Sequence, residues 1–454
     1  MNSKKNIARQ FFKYALPSVV AMWVFSFYTM VDGFFVAWGV GPMALASVNI
    51  AMPFVNFIFG LSILCSAGAS TVISIYLGKG DKVRARDAFM TNLATLVGIA
   101  ALLTAVCLVF MDELAVFLGA TPNLFEDVKS YLSIITCFVV FFIVAYFFEV
   151  TVRADGFPKL AAVSVLVAAI ANIALDYLFV IVFGWGIEGA AWATGIAQVL
   201  AAVVLFVHFV GKRTQLGFQR FRYRLGYVKR SVRLGIGDSV TEFSLGIVIF
   251  LFNNRILHVI GEHGVVSYTV IAYVTTLVVM TVSGISQGMQ PLVGYAHGRG
   301  DGGACHFLLK LALGSATVSA IAWVAVVELL AGPIVSVFIK ESTEAVLFTS
   351  TVSAFRVYAL SYLFVGVNVV LATYFSAIER PAYGIVLSVS RGLAVISLTL
   401  FIMAAAMGAA GIWLSPTISE VLCLGVAFAA YRLMSREDEA RQGAQARFGV
   451  VISK

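Results

Sequence analysis

Leu160 to Phe183 reads LAAVSVLVAAIANIALDYLFVIVF, 24 residues in which Asp176 is the one charge. A helix rises about 1.5 Å per residue and a bilayer's hydrocarbon core is about 30 Å thick, so roughly 20 apolar residues suffice to cross it. The run is too long and lacks the strict alternation needed for a strand of a membrane barrel. Within lipid only helices and closed barrels satisfy every backbone polar group, so the stretch reads as a transmembrane helix. Phe89–Phe110 reads the same way.

The pattern extends outward over the whole chain. Of its 454 residues, 61% are hydrophobic and only 12% charged, with a mean hydropathy of +0.96. A soluble domain carries about a quarter charged residues, and a water-soluble fold of this size cannot cover so much apolar surface. Twelve spans are expected, over residues 11–40, 44–77, 88–111, 128–153, 159–183, 187–211, 231–260, 264–297, 304–331, 346–378, 382–407 and 411–434. No small-residue cleavage site follows the basic start (Lys4, Lys5, Arg9, Lys13), so the first helix is expected to serve as a retained anchor. The five cysteines (Cys65, Cys107, Cys137, Cys305, Cys423) form no CxxC pair and read as small buried hydrophobes.

The net charge of +8 is a topology signal rather than a nucleic-acid footprint. Apart from Lys129, Arg255, Lys340, Arg356 and the intramembrane Arg391, all of the 31 Lys and Arg fall on one side of the alternating loops. The positive-inside rule then places both termini in the cytoplasm, which needs an even number of spans.

The halves repeat. At an offset of 220 residues, Gly41, Ser47 and Gly68 align with Gly261, Ser267 and Gly288, and Gly78-Lys79-Gly80-Asp81 aligns with Gly298-Arg299-Gly300-Asp301. Pro158 matches Pro381 at 223. Gly186, Gly189, Val199 and Leu200 match Gly408, Gly411, Val421 and Leu422 at 222. The fold class is therefore an all-α membrane protein, twelve transmembrane helices in two pseudo-symmetric six-helix bundles around a central cleft. The expected division is an N-lobe over 1–211, a basic cytoplasmic linker over 212–230, a C-lobe over 231–434 and a polar tail over 435–454. The paired tetrapeptides lack GxxxxGK[ST] and read as helix stops with tight turns. With no nucleotide motif, transport must draw on an ion gradient or be passive.

Ionisable groups inside a membrane cost at least about 2.5–3.5 kcal/mol each on insertion scales, so each needs a reason. Asp32 lies eight residues before Val40, Asp176 seven before Phe183, and Thr194 seven after Ile187. At the helical rise all three sit about 10–12 Å below the outer boundary. Asn49 falls near that level, and Asn172 lies one turn deeper on the face of Asp176. Two carboxylates sharing a low-dielectric layer resist simultaneous ionisation, so the pair can carry a proton. With Asn172 and Thr194 the same oxygens can instead coordinate Na+. The sequence leaves proton and sodium open, and leaves open a network that merely holds three helices together.

Glu149 is a candidate for the substrate path, but Arg153 four residues on offers an intrahelical ion pair instead. Asp238 and Glu242 share a face near the start of the seventh helix and either draw cations to the inward mouth or snorkel. Tyr28, Tyr146, Tyr268 and Tyr273 are candidates for holding organic cations by cation–π contact, against packing as the simpler role. No cofactor is expected. No nucleophile-and-base set and no metal-ligand set occurs at one depth, which argues against an enzyme.

These residues resemble the MATE multidrug exporters over essentially the whole chain. Pro17 and Asp32-Gly33-Phe34-Phe35-Val36 are similar to the family's first span. Arg153-Ala154-Asp155-Gly156-Phe157-Pro158, Asn172-Ile173-Ala174-Leu175-Asp176 and Gly186-Ile187-Glu188-Gly189-Ala190-Ala191 are similar to its most recognisable region. Gly235-Ile236-Gly237 with Asn253-Asn254 resembles the bacterial branch typified by MepA. The resemblance implies a monomeric exporter in the bacterial inner membrane, trading lipophilic organic cations for H+ or Na+ by alternating access. It places Asp32, Asn172, Asp176 and Thr194 at the family's first-lobe cation site and Pro17 at a hinge in the first helix. Glu149 falls on a position that is Glu in the MepA-like branch. The second-lobe acidic pair of other members has no counterpart. The competing reading is a flippase for lipid-linked precursors, whose cleft should be rich in Arg or Lys to hold pyrophosphate; a membrane-embedded enzyme ranks below it.

Overall fold

A computed structural model describes residues 4–339 and 345–452. Among the described residues, twelve helices are long and apolar enough to cross a membrane. They are α1 (Lys4–Gly39), α2 (Ala46–Gly78), α3 (Lys82–Val109), α4 (Phe125–Ala154), α5 (Pro158–Val182), α6 (Gly186–Val210), α7 (Leu225–Val259), α8 (Glu262–Gly298), α9 (Gly302–Ser336), α10 (Ala345–Ala377), α11 (Pro381–Met407) and α12 (Ala409–Glu437). No strand occurs among the described residues.

Local chemistry sets several boundaries. Pro158 and Pro381 open α5 and α11 at the first helical turn, where a missing N–H costs nothing. Asp81 and Asp301 cap α3 and α9, accepting from the backbone N–H of Arg84 (3.0 Å) and Ala304 (2.8 Å). The glycine before each cap has a left-handed φ, 77° at Gly80 and 72° at Gly300. The duplicated tetrapeptides thus make the same stop, turn and cap in each half.

Three details add to the expected spans, linker and tail. α7 begins at Leu225, inside the stretch read as linker. α10 is two helices, Ala345–Ala359 and Tyr362–Ala377, broken at Leu360–Ser361 without any proline or glycine to signal it. The backbone of α12 stays helical to Ile452, through the segment read as a polar tail with no core-forming pattern. In addition, α5 ends in a π-helical segment, Tyr177–Val182, and α11 contains one, Ser390–Ala394.

Two bundles meet along a seam, but each lends an end to the other. Ile7, Phe11 and Ala15 of α1 pack in a core with Met289, Leu308 and Phe375 of the second half. Tyr227 and Leu234 of α7 belong to a core built on α2–α6. Contact is closest toward the end bearing the basic loops. A Cβ on Gly68 would lie 1.8 Å from Ser231 O, and one on Gly235 would lie 2.0 Å from Leu64 O, so α2 and α7 touch backbone to backbone. α1 is likewise clasped by α8, where a Cβ on Gly284 or Gly288 would lie 2.5 and 2.6 Å from the Cα of Val19 and Ala15. Pro17 lies between these contacts, inside an unbroken helix. Ser239 Oγ donates to Gly60 O (2.9 Å) and Gln290 Nε2 to Thr71 Oγ1 (3.2 Å). Beyond Ser244, α7 exposes Leu245, Ile249 and Phe250.

The cations at the opposite end are neutralised or covered. Lys129 pairs with Asp112 (2.6 Å), Arg356 with Glu328 (3.4 Å), and Arg255 stacks over Phe401 (5.7 Å); Lys340 lies outside the described residues. The linker packs against the first bundle. Arg86 donates to Gln215 O (2.8 Å) and Gln219 Oε1 (3.0 Å), and the buried Asp155 carboxylate accepts from Gln215 N (2.9 Å) while facing His208 Nε2 (2.8 Å). Asp155→Ala is expected to leave both donors unpaired, at a cost of about 1–3 kcal/mol. The readouts are a lower melting temperature and faster tryptic cleavage at Lys212 and Arg213.

Candidate functional site

A cavity of about 290 Å³ opens in the first bundle and reaches the seam. α1 supplies Tyr28 and Asp32, α4 supplies Tyr131, Tyr146 and Glu149, and α6 supplies Thr194 and Gln198. Glu242 and Gln287 close it from the second bundle. Each polar group arrives from an otherwise apolar helix, so the bundle's packing fixes its direction.

Asp32 and Asp176 face each other within interaction distance, from α1 and α5. Asp32 lies at the cavity wall, whereas Asp176 and Asn172 are fully buried behind it. Asn172 Nδ2 donates to Thr194 Oγ1 (3.4 Å), which ties α5 to α6. Asp32 Oδ1, both Asp176 oxygens and Asn172 Oδ1 are buried with no hydrogen-bond donor. Two deprotonated carboxyl groups can face but cannot bond each other, and one proton between them creates the missing donor. Buried acceptors without donors are costly, so the chemistry of this set suits a bound cation. Asp176 ends the regular part of α5, and the π-helical segment Tyr177–Val182 starts at the next residue. Such turns recur where a helix must re-aim a side chain.

Tyr28 is buried and lies within electrostatic reach of Asp32 and Glu149. Glu149 lines the cavity and also forms the ion pair with Arg153. Arg153 is 2% exposed and donates through Nη1 to Gln287 Oε1 (2.7 Å), so this pair crosses the seam. Tyr146 stands between this cavity and a second one of about 130 Å³ enclosed by both bundles, which Asp238 and Glu242 also line.

Two expected neighbours are elsewhere. Asn49 has the right depth but is exposed and outside the cavity, because its helix face turns away from α1 and α5. Tyr273 is 43% exposed and stacks on Phe338 (5.6 Å), away from any cleft. Tyr268 lines a separate cavity of about 240 Å³ in the second bundle, stacked on Phe252 (5.3 Å). Residues not singled out from the sequence are Tyr131, Gln198, Gln287, Gln290, Asn368 and Glu420. Glu420 was within reach, since at the offset of 222 it pairs with Gln198, next to the aligned Val199 and Val421.

Among known proteins, the MatE family model matches residues 17–178 and 236–401. "Multidrug export protein MepA" of Staphylococcus aureus is 22% identical over 438 residues, covering 95% of each chain. The structure titled "Crystal structure of MATE in complex with MaL6" superposes with a TM-score of 0.89 at 21% identity, over 95% of this chain and 97% of that one. An outward-facing multidrug resistance MATE family transporter of the MOP superfamily superposes at 0.88 and 22%, over the same shares. With one model match in each bundle, together spanning most of the sequence, the chain belongs to the MatE family.

Proposed function

We propose that the protein exports lipophilic organic cations in exchange for H+ or Na+, by alternating access and as a monomer. It lies in a bacterial inner membrane with both termini in the cytoplasm. The carrying observation is the facing pair Asp32–Asp176 at the wall of an aromatic-lined cavity that reaches the seam between bundles. A proton or sodium ion satisfies the unpartnered oxygens, and an organic cation at Asp32 and Glu149 competes with it electrostatically. Mutual exclusion of the two cations is what antiport requires. The names of the S. aureus relative and of the outward-facing neighbour, a multidrug export protein and a multidrug resistance transporter, support drug export. The charge asymmetry of the loops supports the orientation.

In that orientation the seam is sealed on the cytoplasmic side by the contacts of Gly68, Gly235, Ser239 and Arg153. The exchange needs these contacts to part while contacts form at the other end. A flippase is disfavoured, because a pyrophosphate calls for a cluster of Arg or Lys, and among the described residues these three cavities offer Arg391 on a wall and Arg153 at a border.

Proteoliposomes loaded with a cationic dye test this. Efflux is expected to follow one imposed gradient, of protons or of sodium. Efflux that ignores both gradients contradicts the exchange.

A further inference from the structure

The second bundle adds a cation to the cavity walls, beside its own Asp238 and Glu242. Arg391 sits in the π-helical segment Ser390–Ala394 of α11 and lines both the 130 Å³ cavity at the seam and the 240 Å³ cavity of its own bundle. Its Nε donates to Glu420 Oε1 (2.8 Å), and Glu420 Oε2 accepts from Asn368 Nδ2 (2.7 Å). Among the described residues Nη1 and Nη2 of Arg391 make no hydrogen bond. Asn368 also lines the seam cavity, is fully buried, and has no donor for its Oδ1. A guanidinium offers five N–H donors in a planar fork matched to a carboxylate, and here one is used.

A largely buried ion pair adds little stability over well-packed apolar residues, so its place on a cavity wall points to a role beyond stability. The first bundle has Gln198 and Ala169 where the 222 offset places Glu420 and Arg391, so the pair breaks the internal symmetry. The first bundle therefore turns carboxyl groups alone to the cleft, at Asp32 and Glu149, whereas the second turns a guanidinium as well as its own Asp238 and Glu242.

We propose that Arg391 forms an anion-accepting subsite for substrates bearing a carboxylate as well as a cation, with Glu420 as the internal carboxylate that holds the guanidinium until the substrate's replaces it. This rests on the export reading and names a substrate class for it. The cationic end of such a zwitterion is held by the first bundle and its anionic end by Nη1 and Nη2. Asn368 is a positioning residue that keeps Glu420 in place.

The test uses the full chain in proteoliposomes and one xanthene dye in two forms, the methyl ester (a cation) and the free acid (a zwitterion). The double variant Arg391→Gln/Glu420→Gln removes both charges and leaves no buried ion uncompensated. It is expected to lose free-acid transport about tenfold or more, the worth of one charge-assisted bond, with ester transport kept. Glu420→Gln alone removes the competitor, so free-acid affinity is expected to rise while ester affinity holds. A purely structural pair predicts equal loss of both dyes in both variants, and that result overturns the subsite. A wild-type protein that moves the ester but not the free acid also overturns it and leaves the export reading intact. A wild-type protein that moves neither sinks the export reading and the subsite with it.

Discussion

Asp32→Asn and Asp176→Asn are each expected to bring gradient-driven dye efflux down to the level of empty liposomes, with the purified protein melting at an equal or higher temperature. The two halves of this expectation come from one feature. Among the described residues no donor reaches three of the pair's four oxygens, all three buried, so the carboxyl groups impose a desolvation cost that folding does not recover. An amide brings its own N–H groups and carries no charge, so the substitution relieves that cost while removing the acid. Residues kept for stability show the reverse, with a lower melting point and activity lost in proportion to folded protein. Asp155→Ala, which breaks the linker's anchor, serves as that comparison.

The second large effect is at the seam. Gly68→Ala puts a methyl group 1.8 Å from Ser231 O, a backbone atom that cannot rotate away. Overpacking of this kind costs about 1–3 kcal/mol. The cost falls only on the state in which α2 and α7 touch, so the population shifts roughly tenfold toward the state in which they part. Amides of residues 60–78 and 231–244 are expected to exchange hydrogen faster in this variant, and efflux to slow, while the melting temperature changes little. Unchanged exchange would mean that the seam does not open there.

The span count and the duplication were legible because hydropathy and loop charge act over whole helices. Leu160–Phe183 had to cross the membrane whatever its neighbours did. The shared depth of Asp32 and Asp176 was legible, since helical rise is fixed and both residues count from a recognisable end. Rotation about the helix axis was not legible, which is why Asn49 has the right depth and the wrong face. Tyr273 fails for the same reason. The break at Leu360–Ser361 and the π-helical turn Tyr177–Val182 hold no proline or glycine, and Gly392 in the turn Ser390–Ala394 is one glycine among many in the spans; packing against other helices settles all three. The Arg391–Glu420 pair needed two halves of a contact 29 residues apart, of which only Arg391 stood out.

The central claim is that the first bundle's carboxyl pair exchanges its small cation for the organic one. Calorimetry or a pH electrode on weakly buffered purified protein reads this directly when a cationic dye is added, with radioactive sodium as the parallel measurement. The account predicts that dye binding releases H+ or Na+ from the wild type and none from Asp32→Asn or Asp176→Asn. Release of the same size from both variants would contradict it.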